Sequence, residues 1–137
     1  MHVEGLLAPD SEEAAREEYD AVVPTAKTVV REVARTMAFD REEYRERVTE
    51  DVIETARDAL FASLLEVRVG TREEFEAWCD SHPSVDVTVN GSEHVDHAVW
   101  HVGPEERAVA ATYQDEREAA VATLRRQAFG ELYRELL

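Results

Sequence analysis

Residues 93–101 read EHVDHAVWH, and the secondary structure of this stretch decides the fold of the C-terminal half of the chain. On a helix, His94, His97 and His101 would lie on one face, where two imidazoles could share a zinc ion. On a strand, side chains alternate between faces, so His94 points away from the other two. His97 and His101 would then lie about 13 Å apart, at about 3.3 Å per residue, too far for one metal ion to bind both.

The residues in and around this stretch favour a strand. Val95 and Val99 are β-formers. Turn signals flank them, Asn90-Gly91-Ser92 on one side and Gly103-Pro104 on the other. We therefore predict a strand over about residues 94–102, with its histidines at the edge of a core between sheet and helices.

A metal or acid–base site remains the alternative interpretation of the histidines, because clustered titratable groups mark functional sites only statistically. Its metal candidates are His82, His94, His97 and His101, with Glu93 or Asp96 as a nearby carboxylate. Cys79 and His82 form a Cys-x-x-His pair, but no second pair has matching spacing. Cys79 shares a helical stripe with Phe75 and Trp78, which indicates a core position. We assign no catalytic residue and no cofactor.

Two further strands are predicted to flank the central one. Val85, Val87 and Val89 alternate with polar residues, which is the pattern of a half-buried strand. A loop of odd length around residues 90–92 would place these valines on the same face as Val99. With a third strand over about 107–113, the sequence predicts a three-stranded antiparallel meander.

Helices account for most of the remaining chain. Predicted helices cover about residues 11–22, 24–38, 40–48, 49–66, 71–81 and 115–136. Several begin with an N-cap oxygen followed three residues later by glutamate, the pattern of a capping box. We predict one α+β domain over residues 1–137. Its helical part spans about 10–66, and its helix–sheet–helix part, which ends in the long C-terminal helix, spans about 67–137.

The charge of the chain points to a habitat rather than to a partner. The formal net charge is −16, and Lys27 is the only lysine among 15 basic residues. This pattern is typical of cytosolic proteins of extreme halophiles, because at about 1 M salt the Debye length of about 3 Å screens repulsion between surface carboxylates. No apolar run reaches the roughly 20 residues of a membrane span, and no signal peptide is recognisable. We expect a cytoplasmic protein that binds no membrane.

Three stretches of the chain resemble a small haloarchaeal family of uncharacterised proteins. They are GLLAPDSEEAAREEYD (5–20), LFASLLEVRVGTREEFEAWC (60–79) and AAVATLRRQAFGELYREL (119–136). The similarity extends over the whole chain. It implies a halophilic cytosol and a single domain, and it implies no activity.

These observations favour a non-enzymatic protein that binds an unknown protein partner or forms a homodimer. No P-loop, nucleophile elbow or His-Glu-x-x-His motif is present. Apolar residues occupy more than one face of the two terminal helices and could seat the partner: Tyr19, Val22, Val23, Phe129 and Tyr133. The alternatives are an enzyme that uses the histidine region, and a ribosome- or nucleic-acid-associated factor. The second has only the arginine groups Arg125-Arg126 and Arg41/Arg45/Arg47 as a surface, and carboxylates surround the latter group.

Overall fold

The computed structural model describes residues 1–137 and has an α+β architecture. The elements in chain order are β1 (His2–Glu4), α1 (Glu12–Ala21), α2 (Val23–Thr36), α3 (Arg41–Arg47), α4 (Glu50–Leu64), β2 (Val67–Thr71), α5 (Arg72–Ser81), β3 (Asp86–Asn90), β4 (His97–Val102), β5 (Arg107–Tyr113) and α6 (Arg117–Ala128). A turn of π-helix, Phe129–Tyr133, follows α6. The predicted fold class and the helical N-terminal half are confirmed. No helix combines the length and the hydropathy needed to cross a lipid bilayer.

The sheet has five strands in the order β1-β2-β4-β5-β3, so the prediction of a three-stranded antiparallel meander is wrong. β4 and β5 do form the expected hairpin, but β3 pairs in parallel with β5 instead of antiparallel with β4. The physical reason is the length of the β3–β4 connection. Residues 91–96 leave room for a whole strand between β3 and β4, because adjacent strands lie only about 4.8 Å apart. β5 returns from its hairpin with β4 and fills that space.

The start of this connection is held by the neighbouring strand. Thr112 of β5 donates from its hydroxyl to the carbonyl of Ser92 at 2.8 Å. Gly91 has a φ of +109°, and a Cβ at this position would lie 2.3 Å from Oγ1 of Thr112. The turn signal at Asn90-Gly91-Ser92 is therefore a real turn, but it begins a crossing over the end of β5 rather than a two-residue hairpin.

Two strands lie where the sequence predicts none. Val67–Thr71, expected as a brief extended link, is β2, and its Val67 and Val69 side chains are buried. β1 pairs antiparallel with β2, with Val3 opposite Arg68. Both strands are too short for a clear alternation, and their hydrogen bonds to distant strands are what define them.

Helices cover both faces of the sheet. α1, α4, α6 and the π-helical turn cover the face that carries Val99 and Val109. α5 covers the face that carries Ala98, Trp100, Ala108 and Ala110. Helices on both faces of a sheet give this chain two separate hydrophobic cores.

The pairing of β3 with β5 also changes the face on which its valines lie. Val87 lies opposite Ala108 in the register, and Val89 lies opposite Ala110. Because paired residues share a face of a sheet, these valines lie on the α5 face with Trp100, not on the face of Val99 as predicted.

Most helix starts agree with the sequence. Asp40 and Thr71 each form a complete capping box, with Glu43 and Glu74 respectively. The exception is the last helix, expected to start at Asp115. It begins at Arg117, and no side chain caps its first turn.

The last helix also ends earlier than predicted. Its α-helical part stops at Ala128, and the chain continues as a π-helical turn in which the Arg134 N–H donates to the Phe129 carbonyl at 3.0 Å. Phe129, Leu132 and Tyr133 in this turn are all buried.

Candidate protein-interaction site

The apolar face of α2 is wider than the surface that covers it. Ala26, Val30 and Ala34 are buried, as expected for the packing of α2 on α4. A second apolar row beside them is only partly covered, with Val33 54% and Met37 60% exposed. A helix that buries one stripe normally has a polar opposite face, so a second apolar row indicates a surface for another partner.

This second row is one wall of a groove of about 620 Å³ between α2 and α4. The opposite wall is formed by α4, with Val52, Ala56 and Ala59. Thirteen residues line the groove, and ten of them are hydrophobic. We call this surface the α2–α4 groove. It holds four of the nine large hydrophobic side chains that the chain exposes: Val29, Val33, Met37 and Val52.

Covering the groove would provide a substantial driving force for association. Removing a Val or Met side chain from water is worth about 1.5–3 kcal/mol when the side chain becomes fully buried. Val33 and Met37 are about half exposed, so each would gain a large part of that free energy when a partner covers it.

Two charged residues of opposite sign line one end of the groove. Arg47 lies in the last turn of α3, and Asp51 lies in the first turn of α4. Each is placed favourably for its own helix dipole. Neither forms an ion pair within the chain.

The helices around the groove carry little of the net negative charge of the molecule. Residues 23–64 contain seven of the 15 basic residues and nine of the 31 acidic residues, a net charge of −2. The other 95 residues carry the remaining −14. The groove is therefore an apolar surface in a nearly neutral region of a strongly acidic chain.

His101 lies in the main core and has both ring nitrogens hydrogen-bonded. Its Nδ1 donates to the carbonyl of Glu66 at 2.6 Å, since a carbonyl oxygen can only accept. Its Nε2 then accepts from the hydroxyl of Tyr133 at 2.6 Å. Burial lowers the pKa of His101 from 6.5 to about 4, and burial raises the pKa of Tyr133. The pair is a neutral, fully bonded element of the core.

The other predicted metal candidates lie apart from one another. His97 shares the sheet face of His101, but its ring stacks on Tyr113 with centroids 5.2 Å apart. His94 is exposed in the connection before β4. His82 lies at the end of α5 on the opposite face of the sheet, where it stacks on Trp78 and donates from Nδ1 to the Trp78 carbonyl at 2.7 Å.

The carboxylates near the histidines do not complete a site. Asp96 accepts a hydrogen bond from the side-chain amide of Gln114 at 2.9 Å, and Glu93 is exposed. No three His, Cys, Asp or Glu side chains of the chain lie close enough together to hold a metal ion.

Cys79 is partly buried against the aromatic cluster of α5, in line with the predicted core position. Burial raises the pKa of its thiol, and the neighbouring Asp80 and Glu76 carboxylates raise it further. The thiol is therefore protonated at neutral pH, which disfavours a nucleophilic role.

Of the five residues that the sequence offered for a partner, four lie in or against the main core, and Val23 is half-buried at the start of α2. Phe129, Tyr133 and Val22 are buried, and the rings of Phe129 and Tyr133 pack edge-on against Phe61 of α4. Tyr19 is partly buried, and its hydroxyl donates to Asp58. These four side chains are not available to a partner.

Sequence reasoning missed the groove although its signal was present. In the helix predicted over 24–38, apolar residues recur at helical spacing and form a single stripe, yet only part of that stripe is buried in α2. The stripe is Ala26, Val29, Val30, Val33 and Met37, of which Ala26 and Val30 are buried. The apolar face of α2 is wider than one packed helix can cover, and this width indicates that part of the face stays exposed.

The arginines considered for nucleic acid include one with a structural role. Arg125 donates from Nε to the carbonyl of Leu65 at 3.0 Å, so it links α6 to the end of α4. Arg126 donates from Nη2 to the hydroxyl of Thr123 on its own helix at 3.3 Å.

Comparison with known proteins identifies a family but no activity. No curated protein and no solved structure matches the chain. The similarity to a family without known activity, expected from the sequence, is confirmed over nearly the whole chain. Residues 6–134 match the model of a family of unknown function, DUF5809, and the chain belongs to this family.

Proposed function

We propose that this protein is a non-enzymatic interaction module that binds a helical segment of a protein chain in the α2–α4 groove. The observation that carries the proposal is the exposure of Val33 and Met37 beside an apolar groove of about 620 Å³. Large contiguous apolar surfaces are rare on monomers and usually mark an interaction site.

The shape of the groove favours a helix as the occupant. Its walls are two helices, and an amphipathic helix laid between them would place its i, i+3, i+4 and i+7 side chains against both. A small apolar ligand is the competing occupant, because pockets of about 300–1,000 Å³ commonly hold one. Such pockets enclose most of their ligand, whereas this groove leaves Val33 and Met37 more than half exposed.

The lining of the groove supports binding rather than catalysis. Its polar side chains are Arg47, Asp51 and Thr55, and the rest are apolar apart from these three. Neither histidine nor cysteine contributes to the lining, and the hydroxyl of Thr55 donates to the backbone carbonyl of Asp51 at 2.9 Å rather than to a side-chain base.

Site-specific photocross-linking in living cells tests the proposal. A photoreactive amino acid replaces Val33 in one variant and Leu6 in a control, because Leu6 is 77% exposed and lies outside the groove. We expect a discrete protein adduct from position 33, none from position 6, and loss of the adduct when Met37→Glu is added. The added charge would have to be buried under the partner.

Two results would overturn the proposal. One is an absence of protein adducts at position 33, and the other is the same adducts at positions 33 and 6. A small-molecule adduct at position 33 in place of a protein adduct would show that the groove is a ligand pocket.

A further inference from the structure

We propose that the helix occupying the α2–α4 groove comes from a second copy of this chain, and that Arg47 and Asp51 of each copy pair across a two-fold axis. This inference rests on the proposed function and names its partner. It follows from the charges at the end of the groove and from the distribution of charge over the molecule.

The two charges suit a symmetric interface. In a two-fold interface, residue i of one copy contacts residue j of its partner, and j contacts i. Arg47 and Asp51 have opposite signs, line the same end of the groove and lack ion-pair partners in their own chain. One axis through this end would create two identical Arg47–Asp51 pairs at once. A surface with only one sign of charge could not be self-complementary in this way.

The charge distribution removes the main objection to a dimer of so acidic a chain. Two copies with a net charge of −16 each would repel strongly if their acidic surfaces met. Contact through residues 23–64, which carry only −2, leaves most of the acidic residues of each copy outside the interface. Because the Debye length is about 8 Å at physiological ionic strength, repulsion between carboxylates farther apart than this is mostly screened.

A basic helix from another protein is the competing partner, since the chain is acidic overall. Its charges would find little acidic surplus at this site, because α3 is neutral and the net charge of −3 on α4 is nearly balanced by the net charge of +2 on α2. The local charge therefore favours a partner that is itself nearly neutral where it makes contact. The same segment of a second copy meets that condition.

Charge exchange between copies tests the inference. Sedimentation velocity of the full chain at about 0.1 M salt gives the dimer dissociation constant, and circular dichroism confirms the fold of each variant. Arg47→Glu and Asp51→Arg each turn both cross-pairs repulsive, and each should weaken the dimer roughly tenfold. An equimolar mixture of the two variants restores two attractive pairs, as does the double variant, and both should associate like the original chain.

Two control variants test whether the change in the dissociation constant is specific to the charges that line the groove. Arg45→Glu on α3 and Glu54→Arg on α4 make the same charge changes on side chains that do not line the groove. They should leave the dissociation constant within about threefold, since exposed charges outside an interface contribute little.

The outcomes separate this inference from the proposed function. A dimer that Val33→Glu dissociates, but that the charge variants leave unchanged, would overturn the Arg47–Asp51 pairing while supporting the groove. A chain that stays monomeric at every concentration and salt overturns the second copy as partner. A protein adduct of a different mass at position 33 would then keep the proposed function with another occupant.

Discussion

The sheet with its covering helices and the helical segment of residues 23–47, which comprises α2 and α3, are packed to different degrees. Around the sheet, both faces are covered and the largest side chains are fully buried, among them Trp100, Tyr133 and Phe61. In the helical segment, α2 buries one row of apolar side chains and leaves another in solvent. α3 has no buried residue at all.

Because of this difference, the side chains that could act as an acid–base pair are buried, whereas the apolar side chains of the second row on α2 are within reach of a partner. His101 and Tyr133 have the side chains of an acid–base pair, but they lie in the closed core with their hydrogen bonds satisfied by each other and by Glu66. Val33 and Met37 have no chemical reactivity, but they are exposed on a contiguous apolar surface. This contrast supports the proposal that the chain acts through the exposed apolar side chains of α2.

The largest expected effect on the free energy of unfolding is the difference between a substitution in the core around the sheet and one on the exposed row of α2. Phe61→Ala removes a ring with no solvent exposure that contacts Tyr19, Phe129 and Tyr133, and it should lower the free energy of unfolding by about 3–5 kcal/mol. Val33→Ala should change it by no more than about 0.5 kcal/mol. Urea unfolding at a concentration where the chain is monomeric measures both. Equal losses in the two variants would show that α2 belongs to the core.

Stability should depend on pH through His101. The folded chain keeps this imidazole neutral down to pH about 4, whereas the unfolded chain protonates it near its ordinary pKa of 6.5. The contribution is therefore complete above pH 6.5 and is lost as the pH falls towards 4, amounting to about 3 kcal/mol. The difference in unfolding free energy between the original chain and His101→Phe should shrink by this amount from pH 7 to pH 4. A difference that stays constant would show that His101 is accessible, and His94→Phe is the exposed control.

The hydroxyl of Tyr133 should contribute less than this. Tyr133→Phe leaves Nε2 of His101 without a donor inside the core, which should cost about 1–3 kcal/mol. Tyr44→Phe, on a side chain that is 38% exposed and outside the sheet cores, should have almost no effect. Thermal unfolding of the two variants compares them directly. No loss in Tyr133→Phe would mean that the His101–Tyr133 hydrogen bond is not a stabilising contact.

The smallest effect is expected in the turn between β4 and β5. Glu105 and Glu106 have φ values of +62° and +55°, a left-handed conformation that costs a residue with a Cβ about 1 kcal/mol or more. Glu105→Gly should therefore stabilise the chain by up to about 1 kcal/mol. Glu118→Gly, an exposed position in the first turn of α6, should destabilise it by about 0.5–1 kcal/mol. A loss of stability in Glu105→Gly would contradict the turn conformation.

Local signals in the sequence predicted much of the fold, and long-range pairing accounts for the errors. Asp40 and Thr71 cap their helices together with the glutamates three residues later, as the capping-box pattern predicts, because a cap depends on residues three positions away. The parallel pairing of β3 with β5 could not be predicted, since it depends on which strand enters the space left by residues 91–96.

The site was predicted less well than the fold. The strand assignment within EHVDHAVWH is confirmed only from His97 onward, because β4 begins there and not at residue 94 as predicted. Alternation along β4 places His97 and His101 on one face, whereas His94 lies in the connection before the strand. Which apolar row of α2 is covered depends on where α4 packs, and that contact is tertiary. The sequence therefore shows an apolar helix but not the exposed half of its face.

The most direct test of the central claim is the molar mass of the chain in solution. Light scattering during size-exclusion chromatography, repeated at about 0.15 M and at about 1 M salt, should give twice the 15.5 kDa of the single chain. Val33→Glu should reduce this mass to that of one chain, whereas Leu6→Glu should leave it unchanged. A mass of 15.5 kDa for the original chain at every concentration, or the same mass for all three proteins, would contradict the claim that a second copy covers the α2–α4 groove.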